Sequence, residues 1–294
     1  MFYRRKIILA LLEIFDGNLE KLRLQKLLFL FSQRQTKAEY EFIPYKFGCY
    51  SYSASADLAT MVKKGLLEDL QTGLNKTDKI SYVKTLKEAD RKLMFEVKKL
   101  YGSLNGNALM KHTYANYPYF AINSIKANDI LSAEELQKVT NIRPKSERTV
   151  LFTIGYEGIS LEEYLNKLIK NSVQVLVDVR KNPLSMKYGF SKSLLKRFCE
   201  SIGIQYLHFP EVGIESDQRQ ELNCQQDYDK LFKAYKAENL TKTVDSQSAI
   251  LDILKSNKRI ALTCFEANIC QCHRKPLSES IASLPGFNFE LIHI

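Results

Sequence analysis

The second half of the chain is constrained most by a regular alternation of strand-like and helix-like segments. VQVLVDV (173–179) is a nearly continuous apolar run rich in β-branched residues, which is typical of a strand buried on both faces. Helical segments with one apolar stripe separate it from four other apolar runs, of which the first ends at residue 154 and the last closes the chain. This alternation predicts an α/β fold with a doubly wound, mostly parallel five-stranded sheet.

The first half has a helical pattern instead. Apolar spacing predicts helices over 2–15 and 20–33, and a third helix that stops at Gly65. Two short strand-like runs around a polar turn follow it. Three helices and then a β-hairpin is the order of elements in a winged-helix module, so we expect a mainly α, winged-helix-like domain.

A polar, proline-bearing segment, NIRPKSERTV (141–150), separates the two patterns. We therefore expect two domains. The winged-helix-like domain covers residues 1–145, and the α/β domain covers residues 149–294.

Charge is distributed unevenly along the chain. Its net charge is +10, and the first 146 residues contain 24 Lys and Arg against 15 Asp and Glu. A basic amino-terminal half favours a nucleic-acid or protein partner, although lysines scattered over a solvated surface explain the same count equally well. No apolar run is long enough to cross a bilayer, so we expect a cytoplasmic protein without a membrane partner. In that compartment the six cysteines are expected to be free thiols.

Unusual residues follow several of the predicted strands. The segments are GYEG (155–158), DVRKNPLS (178–185), FPEVG (209–213) and CFEANICQCHR (264–274). In open α/β sheets, ligands bind beyond the carboxyl ends of the strands. The sequence therefore predicts a binding rim where these loops converge.

Two of these loops have the chemistry to hold an anion, and each has a structural alternative. Asp178 and Arg180 form either a buried ion pair or a site in which Arg180 binds a phosphate or carboxylate. Gly155 either shapes a turn or offers backbone N–H groups to an anion, with Tyr156 beside it. We name Arg180, Asp178, Gly155 and Tyr156 as candidate ligand-binding residues.

The loop CFEANICQCHR admits three interpretations. Zinc is disfavoured, because Cys272 and His273 are adjacent and the cysteine spacing is unusual, so we predict no metal and no cofactor. A reactive Cys272 thiolate is favoured by the neighbouring His273 and Arg274, whose positive charge lowers a cysteine pKa. The third interpretation is a loop in which Arg274 binds an anion without any covalent step. Glu266 is a candidate general acid or base.

Taken together, TIGYEG, LVDVRKNPLS, GIQYLHFPEVG and LTCFEANICQCHR resemble the family called domain of unknown function 488 (DUF488). The motifs occur in the family order over about 149–294. The resemblance implies an α/β fold and a pocket to which Ser185, Cys272 and Arg274 contribute, but no settled activity.

The first half is similar to the Panacea, or SocA-like, antitoxin-associated domain. The similarity is carried by LRLQKLLFLFSQ, FIPYKFGCYS and DLATMVKKGLLED. It implies a module that binds protein or nucleic acid, as found in toxin neutralisation and phage-related loci.

Two functional hypotheses follow. In the first, the protein is an enzyme that acts on a phosphate-bearing or nucleotide substrate: Arg180 and Arg274 hold the anion, Cys272 is the nucleophile or thiol donor, and His273 or Glu266 moves protons. In the second, the protein is a non-catalytic regulator, a toxin–antitoxin or phage-defence component that binds nucleic acid or a protein.

Overall fold

The computed structural model describes residues 1–215 and 222–294, which fold into two compact units, Met1–Arg143 and Pro144–Ile294. The amino-terminal unit is mostly helical. Its helices are α1 (Tyr3–Ile14), α2 (Lys21–Ser32), α3 (Tyr52–Lys63), α4 (Glu88–Tyr101), α5 (Gly106–Asn116), α6 (Ala127–Ile130) and α7 (Ala133–Ile142). Its strands are β1 (Asn18–Leu19), β2 (Ile43–Tyr45), β3 (Gly48–Tyr50), β4 (Leu67–Leu70) and β5 (Gly73–Lys76).

The helices α1, α2 and α3 precede the antiparallel β4–β5 hairpin, which confirms the winged-helix-like order predicted from the sequence. The small sheet has a third strand that was not predicted, because β1 is only two residues long and pairs with β5. The β2–β3 hairpin lies between α2 and α3.

Asp57 of α3 is the buried electrostatic link between α1 and the rest of this unit. Its carboxylate accepts hydrogen bonds from Arg4 Nε at 2.5 Å, Arg5 Nε at 2.6 Å and the Tyr40 hydroxyl at 2.9 Å. Burial raises the pKa of Asp57, but these three donors outweigh it, and the net pKa is lowered.

We expect Asp57→Asn to destabilise the protein by about 1.5–3 kcal/mol near neutral pH, because hydrogen bonds from charged donors are lost. A carboxyl group whose pKa is lowered by folding stabilises the fold above its unfolded pKa of about 3.9 and loses that contribution as the pH falls through the folded value. Urea denaturation at pH 6 and pH 3 should therefore show the difference from wild type shrinking in acid. The control is Asp129→Asn, which removes an exposed ion pair with Lys126. An acid-independent difference for Asp57→Asn would contradict the assignment.

The carboxy-terminal unit is an α/β domain. Its strands are β6 (Val150–Gly155), β7 (Val175–Asp178), β8 (Gln205–His208), β9 (Arg259–Cys264) and β10 (Glu290–His293). Its helices are α8 (Leu161–Lys170), α9 (Lys192–Ser201), α10 (Gln225–Tyr235), α11 (Val244–Asn257) and α12 (Arg274–Ala282).

The five strands form one sheet in the order β10-β6-β9-β7-β8, and every neighbouring pair is parallel. The predicted five-stranded sheet is thus confirmed, and it is entirely parallel. The central strands β6, β7 and β9 are buried along nearly their whole length, which explains why they are continuous apolar runs in the sequence. Within the described residues, no helix has the length and apolar character needed to span a membrane.

Helices cover both faces of this sheet. On one face, Tyr164 of α8 donates its hydroxyl proton to Thr263 of β9 at 2.7 Å. On the other, Leu277 and Ile281 of α12 lie in the core cluster that contains Leu262 of β9. Successive side chains of a strand point to opposite faces. The side chain of Thr263 therefore lies on the α8 face of the sheet, and that of Cys264 lies on the α12 face. This alternation divides the rim into two sites.

Candidate functional site

The loops that follow β6, β7 and β9 leave the same edge of the sheet. Asp178 is the direct partner of Thr263, and Gly155 is the partner of Cys264. The DVR and CFEANICQCHR segments therefore end side by side. Their side chains separate, however, because Asp178 and Thr263 share one face and Cys264 belongs to the opposite one.

Arg180 and Asp178 form a buried ion pair on the first face. Arg180 Nε and Nη2 donate to the two carboxylate oxygens of Asp178 at 2.8 and 2.5 Å, and Nη1 donates to the Tyr156 hydroxyl and the Phe190 carbonyl at 2.8 Å each. Burial lowers the pKa of Arg180, but the hydrogen bonds and charge of Asp178 outweigh it and raise the pKa above the usual value. In this structure the guanidinium is bonded to protein groups, and anion binding by Arg180 and Asp178 stays a prediction.

Tyr206 belongs to the same ion-pair site but was not named as a candidate. Its hydroxyl donates to Asp178 Oδ2 at 2.6 Å, and burial followed by the charge of Asp178 raises its pKa. The available signal was the strand alternation in IQYLHF, which directs Tyr206 inward. Its partner was hidden because the register between strands is not written in the sequence.

Tyr156 and Ser185 join this site from their own loops. The Tyr156 ring stacks on Phe190, with centroids 4.2 Å apart and planes at 9°. Burial raises the pKa of Tyr156, while Arg180 and a hydrogen bond with Ser185 act in the opposite direction. The Ser185 hydroxyl also accepts a hydrogen bond from the Lys187 backbone N–H at 3.2 Å. The structure brings these residues together. The contacts it shows are between protein groups, so the predicted ligand binding by Tyr156 and Ser185 stays a prediction.

Arg274 braces the loop that follows β9. It is 2% exposed, and its Nη1 and Nη2 donate to the carbonyl oxygens of Glu266 and Ala267 at 2.6 and 3.3 Å. A Cβ atom at Gly155 would lie 2.0 Å from the Glu266 oxygen, so only glycine allows this close approach. Gly155 and Arg274 thus fix the position of Glu266, and their predicted anion binding stays untested.

The Cys-Cys-His group, which consists of Cys264, Cys272 and His273, lies on the second face. Its two sulfur atoms and one imidazole nitrogen lie within 4.8 Å of one another, and all three residues are buried. Cys264 Sγ is 3.5 Å from His273 Nδ1 and donates to Glu266 Oε2 at 3.2 Å. His273 Nε2 lies 2.9 Å from the carbonyl oxygen of Val179. Three candidate catalytic residues, Glu266, Cys272 and His273, are therefore brought together here, with Cys264 between them.

Cys272 is fully buried, and this changes its expected acidity. Burial raises the pKa of its thiol well above the ordinary value, the Cys264 thiol raises it further, and Arg274 lowers it. The sequence suggested that positive neighbours would produce a low pKa. In the structure, loss of hydration outweighs their effect.

Adjacency of Cys272 and His273 does not prevent their donor atoms from converging. The backbone is extended at Cys272 (φ −124°, ψ 135°) and helical at His273 (φ −64°, ψ −16°), because α12 begins immediately afterwards. The three donor atoms therefore lie close together in spite of the unusual spacing, and the predicted absence of a metal stays a prediction. Among the described residues, this is the one set of three or more Cys, His, Asp or Glu side chains close enough to hold a metal. Cys270 is exposed and lies outside it.

Glu266 also lines a cavity of about 370 Å³ beside the Cys-Cys-His group. Its other lining residues are Leu222, Asn223, Tyr228, Leu231, Phe232 and Gln271. Phe232 also lines a neighbouring cavity of about 630 Å³ that contains Lys233, Lys236 and Lys275. The α10 residues among them, Tyr228, Leu231, Phe232 and Lys233, were not named from the sequence, because an amphipathic helix gives no sign of which loop it faces.

The fold and the site define an α/β domain with a buried Cys-Cys-His group at the carboxyl edge of a parallel sheet. Residues 160–281 match the family model described as Domain of unknown function DUF488, so the chain contains a DUF488 domain. The match includes the Cys-Cys-His group and Glu266 but begins after Gly155 and Tyr156. It does not reach the amino-terminal unit, whose resemblance to the Panacea domain stays a prediction. No curated protein matches the chain significantly.

Proposed function

We propose that the DUF488 domain is an enzyme that acts on a nucleotide or a related phosphate-bearing compound bound in the cavity that Glu266 lines. The observation that carries this proposal is the position of Glu266 between the cavity and the Cys-Cys-His group. Its carboxylate lies 3.2 Å from Cys264 Sγ, and the residue also lines the cavity.

Glu266 is suited to proton transfer because its backbone position is fixed and the residue lines the cavity. Arg274 holds the Glu266 backbone carbonyl, and the close approach to Gly155 prevents the loop from moving towards β6. A general acid or base must lie within hydrogen-bond reach of the reacting group. The proposal therefore assigns proton transfer to Glu266. It assigns no nucleophilic attack to Cys272, whose sulfur is fully buried.

The cavity lining favours a nucleotide over a simple anion. Tyr228 and Phe232 supply aromatic rings on which a base can stack, and the amides of Asn223 and Gln271 can donate to and accept from a base edge. A ligand of nucleotide size that passes Phe232 would bring its phosphates to the lysines of the adjoining cavity.

Among those lysines, Lys236 already pairs with Glu279 at 3.2 Å, whereas Lys233 and Lys275 line the cavity without an ion pair among the described contacts. Ammonium groups are common phosphate ligands. Lys233 and Lys275 are therefore the proposed phosphate contacts, in place of the two buried arginines.

The amino-terminal unit keeps its proposed role as a module that recruits nucleic acid or a protein partner. The support is its positive charge and winged-helix-like order. This role does not depend on the chemistry at Glu266.

A panel of nucleoside mono-, di- and triphosphates and short single-stranded oligonucleotides tests the function. We expect at least one member to bind in calorimetry and to be converted to a product seen by mass spectrometry. Lys233→Ala should weaken binding of the active compound about tenfold or more, because a charge-assisted hydrogen bond contributes about 1.5–3 kcal/mol. Lys255→Ala, on an exposed lysine that pairs with Asp252, is the matched control. Binding without turnover anywhere in the panel would favour a regulator, and no binding at all would contradict the proposed substrate class.

A further inference from the structure

The Cys-Cys-His group has the dimensions of a metal site. In a tetrahedral zinc site the Zn–S and Zn–N bonds are about 2.3 and 2.0–2.1 Å long, which places a sulfur and a nitrogen ligand about 3.5 Å apart. Cys264 Sγ and His273 Nδ1 are 3.5 Å apart, and the Cys272 sulfur lies within 4.8 Å of the Cys264 sulfur and of an imidazole nitrogen of His273. An ion fits among these three atoms with little movement of the side chains.

The hydrogen bond between His273 Nε2 and the Val179 backbone supports the same conclusion. Its Nε2 is 2.9 Å from the Val179 carbonyl oxygen, which can only accept a hydrogen bond. Nε2 therefore donates a hydrogen bond to Val179, which leaves Nδ1, 3.5 Å from the sulfur of Cys264, as the ring nitrogen available to a metal ion. A histidine whose second nitrogen donates to a backbone carbonyl is the usual arrangement of a metal ligand.

Charge and donor type select the ion. Two thiolates and a neutral imidazole around a divalent cation have no net charge, which suits a group that is wholly buried. Thiolate and imidazole donors in a tetrahedral arrangement favour zinc over magnesium or calcium.

We propose that the DUF488 domain binds one zinc ion through Cys264 Sγ, Cys272 Sγ and His273 Nδ1, with a water at the fourth position beside Glu266. On binding, the two thiol protons pass to solvent and two S–Zn bonds form. Three protein ligands and one water are typical of a catalytic zinc, whose water is activated for attack. The site deepens the proposed function by supplying such a water, but metal binding itself requires no substrate.

Metal analysis of the purified full-length chain tests the site. The protein is purified under reducing conditions without chelator and is then exposed to zinc. We expect about one zinc ion per wild-type chain, because the three protein ligands form one site. Cys272→Ser and His273→Ala should each lose most of it. Cys270→Ser is the matched control, because Cys270 is an exposed thiol two residues from Cys272, and it should retain zinc. Glu266→Gln should also retain it, because Glu266 is not one of the three proposed ligands.

A cobalt titration of the reduced, metal-free wild type keeps the test valid if the ligand variants unfold. Tetrahedral Co²⁺ bound to two thiolates gives sulfur-to-metal charge-transfer absorption and visible d–d bands, and these should saturate at one equivalent. Absence of these bands, or equal loss of zinc in Cys270→Ser and Cys272→Ser, overturns the metal site. Turnover that persists in the metal-free protein would overturn the catalytic role of the zinc-bound water, while leaving zinc binding and the enzyme proposal intact. A zinc-loaded protein that converts no nucleotide defeats only the enzyme proposal.

Discussion

Replacing Asp178 with alanine is expected to lower the free energy of unfolding by about 3–5 kcal/mol, the usual cost of removing one partner from a buried ion pair. Asp178 is fully buried, and it accepts hydrogen bonds from the Arg180 guanidinium and the Tyr206 hydroxyl. Without the carboxylate, the Arg180 charge stays in a dry environment with no counterion. Urea denaturation followed by far-UV circular dichroism measures the loss.

The control for Asp178→Ala is Asp252→Ala in the same domain. Asp252 pairs with Lys255 at 3.6 Å, and its side chain is 75% exposed, so its removal should cost about 0–1 kcal/mol. The double variant Asp178→Leu with Arg180→Met removes both buried charges and should recover part of the loss. If Asp178→Ala and Asp252→Ala were equally stable, the buried ion pair would contribute little to stability. Asp178 and Arg180 would then be available to bind a ligand.

The arrangement of elements was predictable wherever one period extended over a long segment. The buried strands β6, β7 and β9 appear as continuous apolar runs, and the helices between them have one apolar stripe. Short elements carried no such signal. The two-residue strand β1 is defined by its pairing with β5, which is distant in the sequence.

The position of the candidate site at one edge of the sheet was predictable from the sequence. The division of its side chains between the two faces of the sheet was not. The topology of a parallel sheet places the ends of β7 and β9 at one edge, so DVR and CFEANICQCHR were expected to meet. The relative register of the two strands was not encoded locally. A shift of one residue would place Asp178 opposite Cys264 on a single face, whereas the observed register pairs Asp178 with Thr263. The predicted single rim is consequently two sites on opposite faces.

Burial was the second quantity that the sequence did not supply. His273 and Arg274 are charged or titratable side chains near Cys272 in the chain, so they suggested an acidic thiol. Their effect depends on hydration, and α12 together with the sheet excludes water from the group. The same burial that disfavours a free thiolate favours two thiolates held around the proposed zinc ion, because the cation neutralises their charge.

Glu266→Gln is expected to lower kcat by about 10²- to 10⁴-fold on whichever nucleotide the panel identifies, because this is the usual contribution of a general acid or base. Glutamine keeps the size of the side chain but takes up no proton at neutral pH. The matched control is Glu157→Gln. The Glu157 carboxylate accepts a hydrogen bond from the Ala267 backbone N–H at 2.9 Å, so it contacts the same loop without lining the 370 Å³ cavity.

The two glutamate variants separate proton transfer from loop positioning. If Glu266 transfers a proton, Glu266→Gln loses turnover while its zinc content and KM stay close to those of the wild type, and Glu157→Gln stays active. If the two carboxylates act only by holding the loop in shape, both variants lose similar activity and KM rises. Retention of more than about a tenth of kcat in Glu266→Gln would remove Glu266 from the chemistry. A proton acceptor would then have to be found among the other residues that line this cavity. Of the described lining residues, Tyr228 is the one that has another titratable side chain.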